Sequence, residues 1–509
     1  MKKLHAYTKM GGLLLIFLLV SCSNFEEINT NPDDTTQVPA SMECTNIVLD
    51  VLEHNGDAMS YISDNTLSKY VGFTVLGKNS AQYNDFGSGS FGSMTLLPNI
   101  DAMLEFAQGS VMENSYKGVA SFAKAYTFFR LTMWMGDIPY SEAGHGIDGQ
   151  FNPKYDIQED IFISILDELK AADQYFANGR TFAGDPTPYN GNPEKWRQAT
   201  NAFALRVLMS LSKKEDVASL DIKNRFAEIV AAGNLMTNTT GYWGLIYSSQ
   251  NPHPLYSTNS MFTPKTVISS LLLNNLKNLN DRRLFYYCEP AAAKITEGLL
   301  ESDSAAYTGT DVSMDYGDMN ILFKANKLSI LNKQYATEEA CEPRMMMTYA
   351  EQQLILAEAR IRGWITTGNA QAYYEDGVKA ALTDKMNNNN ASYAHGVSID
   401  QPYIDGYFTG EAAFKATTEE QLKQIWMQSY ILRFMQDSEF SYFEYRRNSY
   451  PEFPINPASS LNVEKPDAIP MRCLYPGSET SYNRTNLIIA LDRQYDGYDE
   501  INKVMWLLK

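Results

Sequence analysis

The stretch GVASFAKAYTFFRLTMWMGDIPYSEA, residues 118–143, decides the fold class. Val119, Phe122, Ala123, Tyr126, Phe129, Leu131 and Met133 keep much of the three- and four-residue spacing of a helix with one apolar face. Gly136 can close that helix, and Pro139 prevents its continuation because it has no backbone N–H to donate. Trp134 and Tyr140 flank the stop. Their flat rings could serve as platforms, but at a helix end packing is the expected role.

The same period recurs along the chain. IQEDIFISILDELKAADQYF (157–176) repeats it, with acids in its first turn where the helix dipole favours them. NPEKWRQATNAFALRVLMSLSKK (192–214) opens with Pro193 near its first helical position and ends in lysines. MMMTYAEQQLILAEARIRG (345–363), NAQAYYEDGVKAALTDKM (369–386) and TEEQLKQIWMQSYILRFMQ (418–436) are further helices, the first of them stopped by Gly363. Alternating patterns are few, and LNVEKPDAIPMRCLY (461–475) is the one candidate hairpin. Long loops rich in Gly, Ser, Asn and Tyr separate the helices, chiefly 77–98, 178–192, 237–263, 300–320 and 386–416. The expected architecture is all-α, one large domain over 41–509 in which a helical scaffold displays large loops.

The amino terminus reads differently. Residues 13–20 form an apolar run too short to span a bilayer, which takes roughly 20 residues, but they fit a signal segment with Lys2, Lys3 and Lys9 in front. Leu19-Val20-Ser21-Cys22 resembles a lipobox, cut before a Cys that takes the lipid. This gives a signal peptide over 1–21, a lipidated Cys22 and a polar, acidic tether to residue 40. No later stretch is apolar for long enough to span. The formal net charge of −18 argues against nucleic acid and anionic membrane surfaces as partners. Cys44, Cys288, Cys341 and Cys473 have no metal-type spacing. They could pair in an oxidising compartment, but a chain with this much core does not require it.

Motifs for chemistry are sparse. GSGSFG (87–92) matches a dinucleotide fingerprint, but the polar AQYNDF precedes it where a buried strand is needed, so a flexible loop is expected. His54, His145, His253 and His395 are scattered and form no zinc pair. No nucleophile elbow or phosphate loop occurs. The acids of 311–318 and 496–500 stand close enough for structural calcium, with solvated loops the alternative; no other cofactor is expected. Paired carboxylates for sugar hydrolysis cannot be singled out among 60 acidic residues.

The loops themselves carry the stronger signal. SAQYNDFGSGSF places Tyr83 and Phe86, flanked by Asn84 and Asp85, in a glycine-rich stretch, and TTGYWGLIYSSQNPHPLYSTNS places Trp243, Tyr247 and Tyr256 among Asn, Ser and Gln. Sugars have apolar C–H faces and a rim of hydroxyls, which flat rings beside amides and carboxylates can bind. Tyr83, Phe86, Trp243, Tyr247 and Tyr256 are therefore the candidate stacking platforms, with Asn84 and Asp85 as hydroxyl partners. The competing reading is that each ring pins its loop to the scaffold.

Seven collinear segments together resemble the SusD/RagB family of surface lipoproteins, especially its second SusD-like branch. They are SCSNFEEINTNPDD (21–34), AKAYTFFRLTMWMGDIPYSEA (123–143), YDIQEDIFISILDELKAA (155–172), NPEKWRQATNAFALRVLMSLS (192–212), NDRRLFYY (280–287), TYAEQQLILAEARIRGW (348–364) and FEYRRNSYPEFP (443–454). One departure is Asp281-Arg282-Arg283, where the family often has Asp-Pro-Arg. The resemblance implies tetratricopeptide-like helix pairs supporting a loop-rich half, and no catalysis. It further implies capture of a glycan, or in some members a peptide, at the cell surface, and delivery to a SusC-like TonB-dependent transporter of the outer membrane. Glu26 and Glu27, just past the Cys, fit the acidic flank of surface-exported members. The family's ligand loops vary freely, so no ligand residue carries over by motif. Glycan capture is the leading expectation, peptide capture the alternative, and a glycoside hydrolase the remaining one.

Overall fold

The structure is a computed structural model and describes residues 39–52, 57–77, 79–237, 241–257 and 261–509. The expected signal segment, Cys22 and the tether as far as Val38 lie outside the described residues. Among the described residues no helix is long and apolar enough to cross a membrane.

The principal helices in chain order are α1 (Ala40–Leu52), α2 (Ala58–Leu67), α3 (Leu96–Ala107), α4 (Glu113–Met135), α5 (Gln158–Ala177), α6 (Pro193–Ser210), α7 (Ile222–Ala232), α8 (Ser270–Asn278), α9 (Tyr349–Ile361), α10 (Ala370–Asn388), α11 (Thr418–Leu432), α12 (Ser438–Asn448) and α13 (Arg484–Tyr495). They pack as successive pairs: α4 on α5, α5 on α6, α9 on α10, and α6 and α11 on α9. Local chemistry explains their ends. Asn192 caps α6 by accepting from the Glu194 N–H at 2.9 Å, with Pro193 behind it, and Thr417 with Glu420 forms a capping box on α11. α4 stops at Gly136, which takes φ +87°. A Cβ there would collide with the Tyr495 hydroxyl and the Gln494 side-chain oxygen, so glycine is needed twice over.

Among the described residues four short strands make two antiparallel pairs. β1 (Val71–Phe73) pairs with β3 (Thr266–Ile268), and β2 (Tyr242–Leu245) with β4 (Arg344–Thr348). Two expectations change here. The methionines 345–347 belong to β4 rather than to α9, because Tyr242–Leu245 lies opposite and the Thr348 hydroxyl caps α9 by accepting from Glu351 N–H at 3.1 Å. Residues 461–475 form turns instead of a hairpin, with Pro466 and Pro470 withholding ladder donors and only Leu474 bridging, to Ser88.

One apolar core runs from Ala40 to Leu508. Buried ion pairs cross it. Arg206 of α6 meets Glu351 of α9 and Asp437; Arg433 reaches Glu351 at 2.9 Å; Arg447 of α12 grips Glu358 of α9 through two bonds of 2.6 and 2.9 Å. Such pairs stabilise little over apolar packing, but removing one partner strands a buried charge. Burial raises the Glu358 carboxyl pKa, yet the Arg447 and Arg362 guanidiniums and the Trp426 N–H together outweigh it and hold the value at about 2. Arg282, which stands where the family often has proline, uses its N–H to donate to the Tyr403 hydroxyl at 2.9 Å. Cys44, Cys288, Cys341 and Cys473 are free thiols, all buried. The acids of the two proposed calcium loops hold turns, a helix cap and ion pairs: Asp311 accepts from Ser313, Asp315 from Gly317 N–H, and Asp499 pairs with Arg472. Among the described residues no group of three or more potential metal ligands gathers.

Candidate functional site

The last three turns of α4 carry Tyr126, Thr127, Arg130, Leu131, Trp134 and Met135 at helical spacing, and together they floor a cavity of 530 Å³. The loop from Phe86 to Leu96 forms its other wall and supplies the hydroxyls of Ser88, Ser90, Ser93 and Thr95. Asp50 comes from the end of α1, Asp64 from α2 and Glu439 from the start of α12.

The loop that covers this floor is tied down, contrary to the flexible loop expected for GSGSFG. Gly89 N–H donates to Leu474 O at 2.8 Å, and Leu474 N–H donates to Gly87 O at 3.0 Å. A Cβ on Gly89 would sit 2.8 Å from both Cys473 Sγ and Met135 Sδ, so only glycine lets the loop approach α4 so closely. One step back, the buried Lys69 ammonium donates to Gln82 O at 2.5 Å and to Asn84 Oδ1 at 2.8 Å. Gln82 in turn donates to Val312 O at 2.9 Å and accepts from Phe73 N–H at 2.8 Å. Burial pulls the Lys69 pKa down to about 7, as expected for a cation held away from water.

The floor combines rings and charge. Trp134 stacks on Tyr442 with centroids 5.3 Å apart, and Phe86 meets Tyr442 edge-on at 5.1 Å and Trp134 edge-on at 6.1 Å. The Glu439 carboxylate accepts from Arg130 Nε at 2.8 Å, Arg130 Nη2 at 2.9 Å and Trp134 Nε1 at 2.5 Å. This fixes the indole and guanidinium planes with respect to each other. Burial, with the Glu439 charge next in importance, pushes the Asp64 carboxyl up to about 8. Burial also raises Asp50. An edge-presenting Phe, an indole held by a carboxylate, and a row of hydroxyls can hold a sugar ring by its C–H face and its rim together.

Of the residues singled out from sequence, Phe86 lies in this cavity. Asp85 is exposed beside it and accepts from Gly87 N–H at 3.3 Å. Tyr83 and Asn84 are buried beneath the loop: Tyr83 donates its hydroxyl to Met314 O at 3.1 Å, and Asn84 receives Lys69. They brace the wall rather than offer a ring or amide to solvent. Trp243 is 0% exposed, wedged among Phe122, Tyr126 and Trp196 at 5.1, 5.2 and 6.2 Å, so it has no free face and cannot be a platform as placed. Tyr247 is likewise buried, edge-on to His253 at 4.9 Å. Tyr256 is half-exposed away from the cavity, and the nearby Glu339 carboxylate raises its hydroxyl pKa.

Sequence reasoning missed Trp134, read as packing, and Arg130, Asp64 and Glu439 altogether. Trp134 and Arg130 are four residues apart, a pairing visible in the sequence. Glu439 lies 309 residues from Arg130, and nothing local marks it.

Comparison with known proteins gives a consistent result. The family of SusD-like sequences described as starch-binding and associating with the outer membrane matches residues 32–476. A solved SusD homolog from Bacteroides fragilis is 37% identical, with a TM-score of 0.88 over 93% of this chain and 100% of its own. A second from the same species is 32% identical (TM-score 0.82, 93% and 100%). An outer-membrane protein from Bacteroides vulgatus, described in terms of nutrient binding, is 30% identical (TM-score 0.83, 93% and 100%). Among curated proteins nothing matches.

Proposed function

The chain belongs to the SusD-like family, and from that premise we propose that it is a lipid-anchored, non-catalytic protein of the outer-membrane surface that captures oligosaccharides. It passes them to a SusC-like TonB-dependent transporter. The observation that carries the glycan reading is the cavity in which Phe86 and Trp134 stand beside hydroxyls and a fixed carboxylate–guanidinium pair. Flat rings take the C–H face of a sugar, and the polar groups around them take its hydroxyls. The family's description as starch-binding supports the substrate class, and the Leu19-Val20-Ser21-Cys22 lipobox supports the anchor. Shallow, wet sites of this kind bind in the micromolar range or more weakly.

A second reading, capture of basic peptides by the same cavity, is favoured by Asp50 and Asp64 in its lining. Isothermal titration of the mature protein against starch-, chitin- and hemicellulose-derived oligosaccharides and against basic peptides decides between them. The expected result is saturable heat with at least one glycan and none with peptides. Peptide binding without glycan binding would replace the first reading by the second. Release of shorter sugars from a polysaccharide by the pure protein would overturn both.

A further inference from the structure

We propose that Lys69, which lies outside the lining of the Trp134 cavity, is a positioning residue for glycan capture: its side-chain amino group clasps the loop that carries Phe86 to the floor that carries Trp134. This rests on the glycan-binding reading above and adds to it the device that holds the two walls of the cavity together.

Lys69 stands just past the end of α2, and its backbone is fixed on the floor side. The Ser68 hydroxyl donates to Ser438 O, next to the Glu439 that orients Trp134 and Arg130. The Tyr430 hydroxyl of α11 donates to Ser68 O at 2.9 Å, and Tyr70 stacks on the Tyr430 ring with centroids 4.1 Å apart. The Lys69 side chain is fixed on the loop side, donating to Gln82 O at 2.5 Å and to Asn84 Oδ1 at 2.8 Å. Asn84 turns the chain with φ +65°, and Phe86 follows it by two residues, so the place where Nζ holds Asn84 decides where the Phe86 ring enters the cavity. The amino group has three N–H donors when charged and two when neutral. It can serve both acceptors in either state, so the clasp does not depend on its charge.

Two costs mark Lys69 as kept for more than packing. Two lysines are buried among the described residues. Lys385 meets the Glu342 carboxylate at 2.5 Å, whereas Lys69 has a carbonyl and an amide oxygen and no carboxylate in contact. An ionisable group buried without a counter-charge costs stability that an apolar chain of the same length would not. Lys69 also sits at φ +58°, in the left-handed region that side-chain-bearing residues avoid. Costs of this kind gather where a fold gives up stability for a site. Here they meet at a joint between the loop and the floor of the cavity.

The test compares Lys69→Met, Asn84→Gly and Asn84→Asp with the unaltered mature protein. Each is titrated with maltohexaose, chitohexaose and xylohexaose, and hydrogen exchange is followed in residues 79–92 and 126–135. Lys69→Met keeps the length of the side chain and loses its donors. Exchange in 79–92 should become about tenfold faster with 126–135 unchanged, and the hexaoses that the unaltered protein binds should bind about tenfold more weakly, since affinity scales with the fraction of molecules whose loop is in place. Asn84→Gly suits the left-handed backbone but drops one acceptor, and should weaken binding about threefold. Asn84→Asp keeps the acceptor and should stay within about twofold of the unaltered protein. If Lys69→Met does not fold, the contrast between the two Asn84 variants decides alone. Binding by Lys69→Met within about twofold of the unaltered protein, or faster exchange spread equally over 126–135, would overturn the positioning role while leaving glycan capture standing. Equal affinities of Asn84→Gly and Asn84→Asp would do the same. No binding of any hexaose by the unaltered protein would remove the glycan reading and the positioning role with it.

Discussion

Two aromatic clusters lie along α4, and Tyr126 of the first also lines the cavity beside the second. On one side Phe122, Tyr126, Trp196, Phe203 and Trp243 pack ring against ring with centroids 5.1–6.3 Å apart, and none of the five is exposed. On the other, Phe86, Trp134 and Tyr442 pack at 5.1–6.1 Å, and Phe86 and Trp134 stay half-open to a cavity. The closed cluster has more rings, but their spacing hardly differs. The neighbours do: the closed cluster is surrounded by apolar core, the open one by Arg130, Glu439, Asp64 and serine hydroxyls. Aromatic density alone therefore does not mark a binding surface. Rings whose edges are flanked by held polar groups do.

The largest effect is expected in the closed cluster. Trp243→Ala leaves a cavity in the core and should cost about 3–5 kcal/mol of unfolding free energy in a denaturant titration. A loss under 1 kcal/mol would mean that the ring is not the keystone its burial indicates. Next comes the ionic frame of the scaffold. Glu358→Gln leaves the Arg447 guanidinium with Glu444 as its remaining carboxylate partner and should cost about 2 kcal/mol at neutral pH. The sign with pH is fixed by the depressed Glu358 pKa of about 2. The stabilisation from this group is present above its unfolded pKa of about 4.5 and fades as pH falls from there through 2, and a melting series over that range reads it.

On the open side, Trp134→Ala should weaken glycan binding by about 1–3 kcal/mol with the helix fold retained by circular dichroism. The contrast with Trp243→Ala, large in stability and silent in any specific contact to ligand, is the sharpest form of the comparison. The smallest effect is a pH dependence at the buried His253, which packs on Tyr61, Tyr247 and Tyr335. Burial holds His253 down at about 4, and its Nδ1 accepts the Leu255 N–H at 3.2 Å, a bond that protonation would break. Its contribution is complete above an unfolded pKa near 6.5 and is lost as pH falls towards 4, so lowering the pH from 6.5 to 5 should cost about 1–2 kcal/mol. His253→Asn, which can keep an acceptor near Nδ1, should flatten that slope in thermal melts.

Much of this was legible in the sequence. The helical scaffold follows from periodicity and from Gly136 and Pro139, and the seven collinear segments pointed to the family. The loop 77–98 stood out as a region of interest, and Phe86 within it lies in the cavity. The failures have a common cause. Trp243, Tyr247 and Tyr83 stand in polar sequence, but β2 pairing with β4, a strand 100 residues on, carries Trp243 into the core, and Lys69 draws the Tyr83 segment under its own loop. Conversely, Trp134 was read as packing because the Glu439 that orients it is 305 residues away. Sequence shows which residues could bind; long-range pairing decides which of them keep an open face.

The central claim is that the ligand sits between the Phe86–Thr95 loop and the last turns of α4. A crystal structure of the mature protein with the tightest-binding oligosaccharide from the panel tests it directly. The account predicts a sugar ring against Phe86 and Trp134 with its hydroxyls at Arg130, Glu439 or the loop serines. An ordered sugar elsewhere, for instance beside Tyr256, with this cavity unfilled, would contradict it.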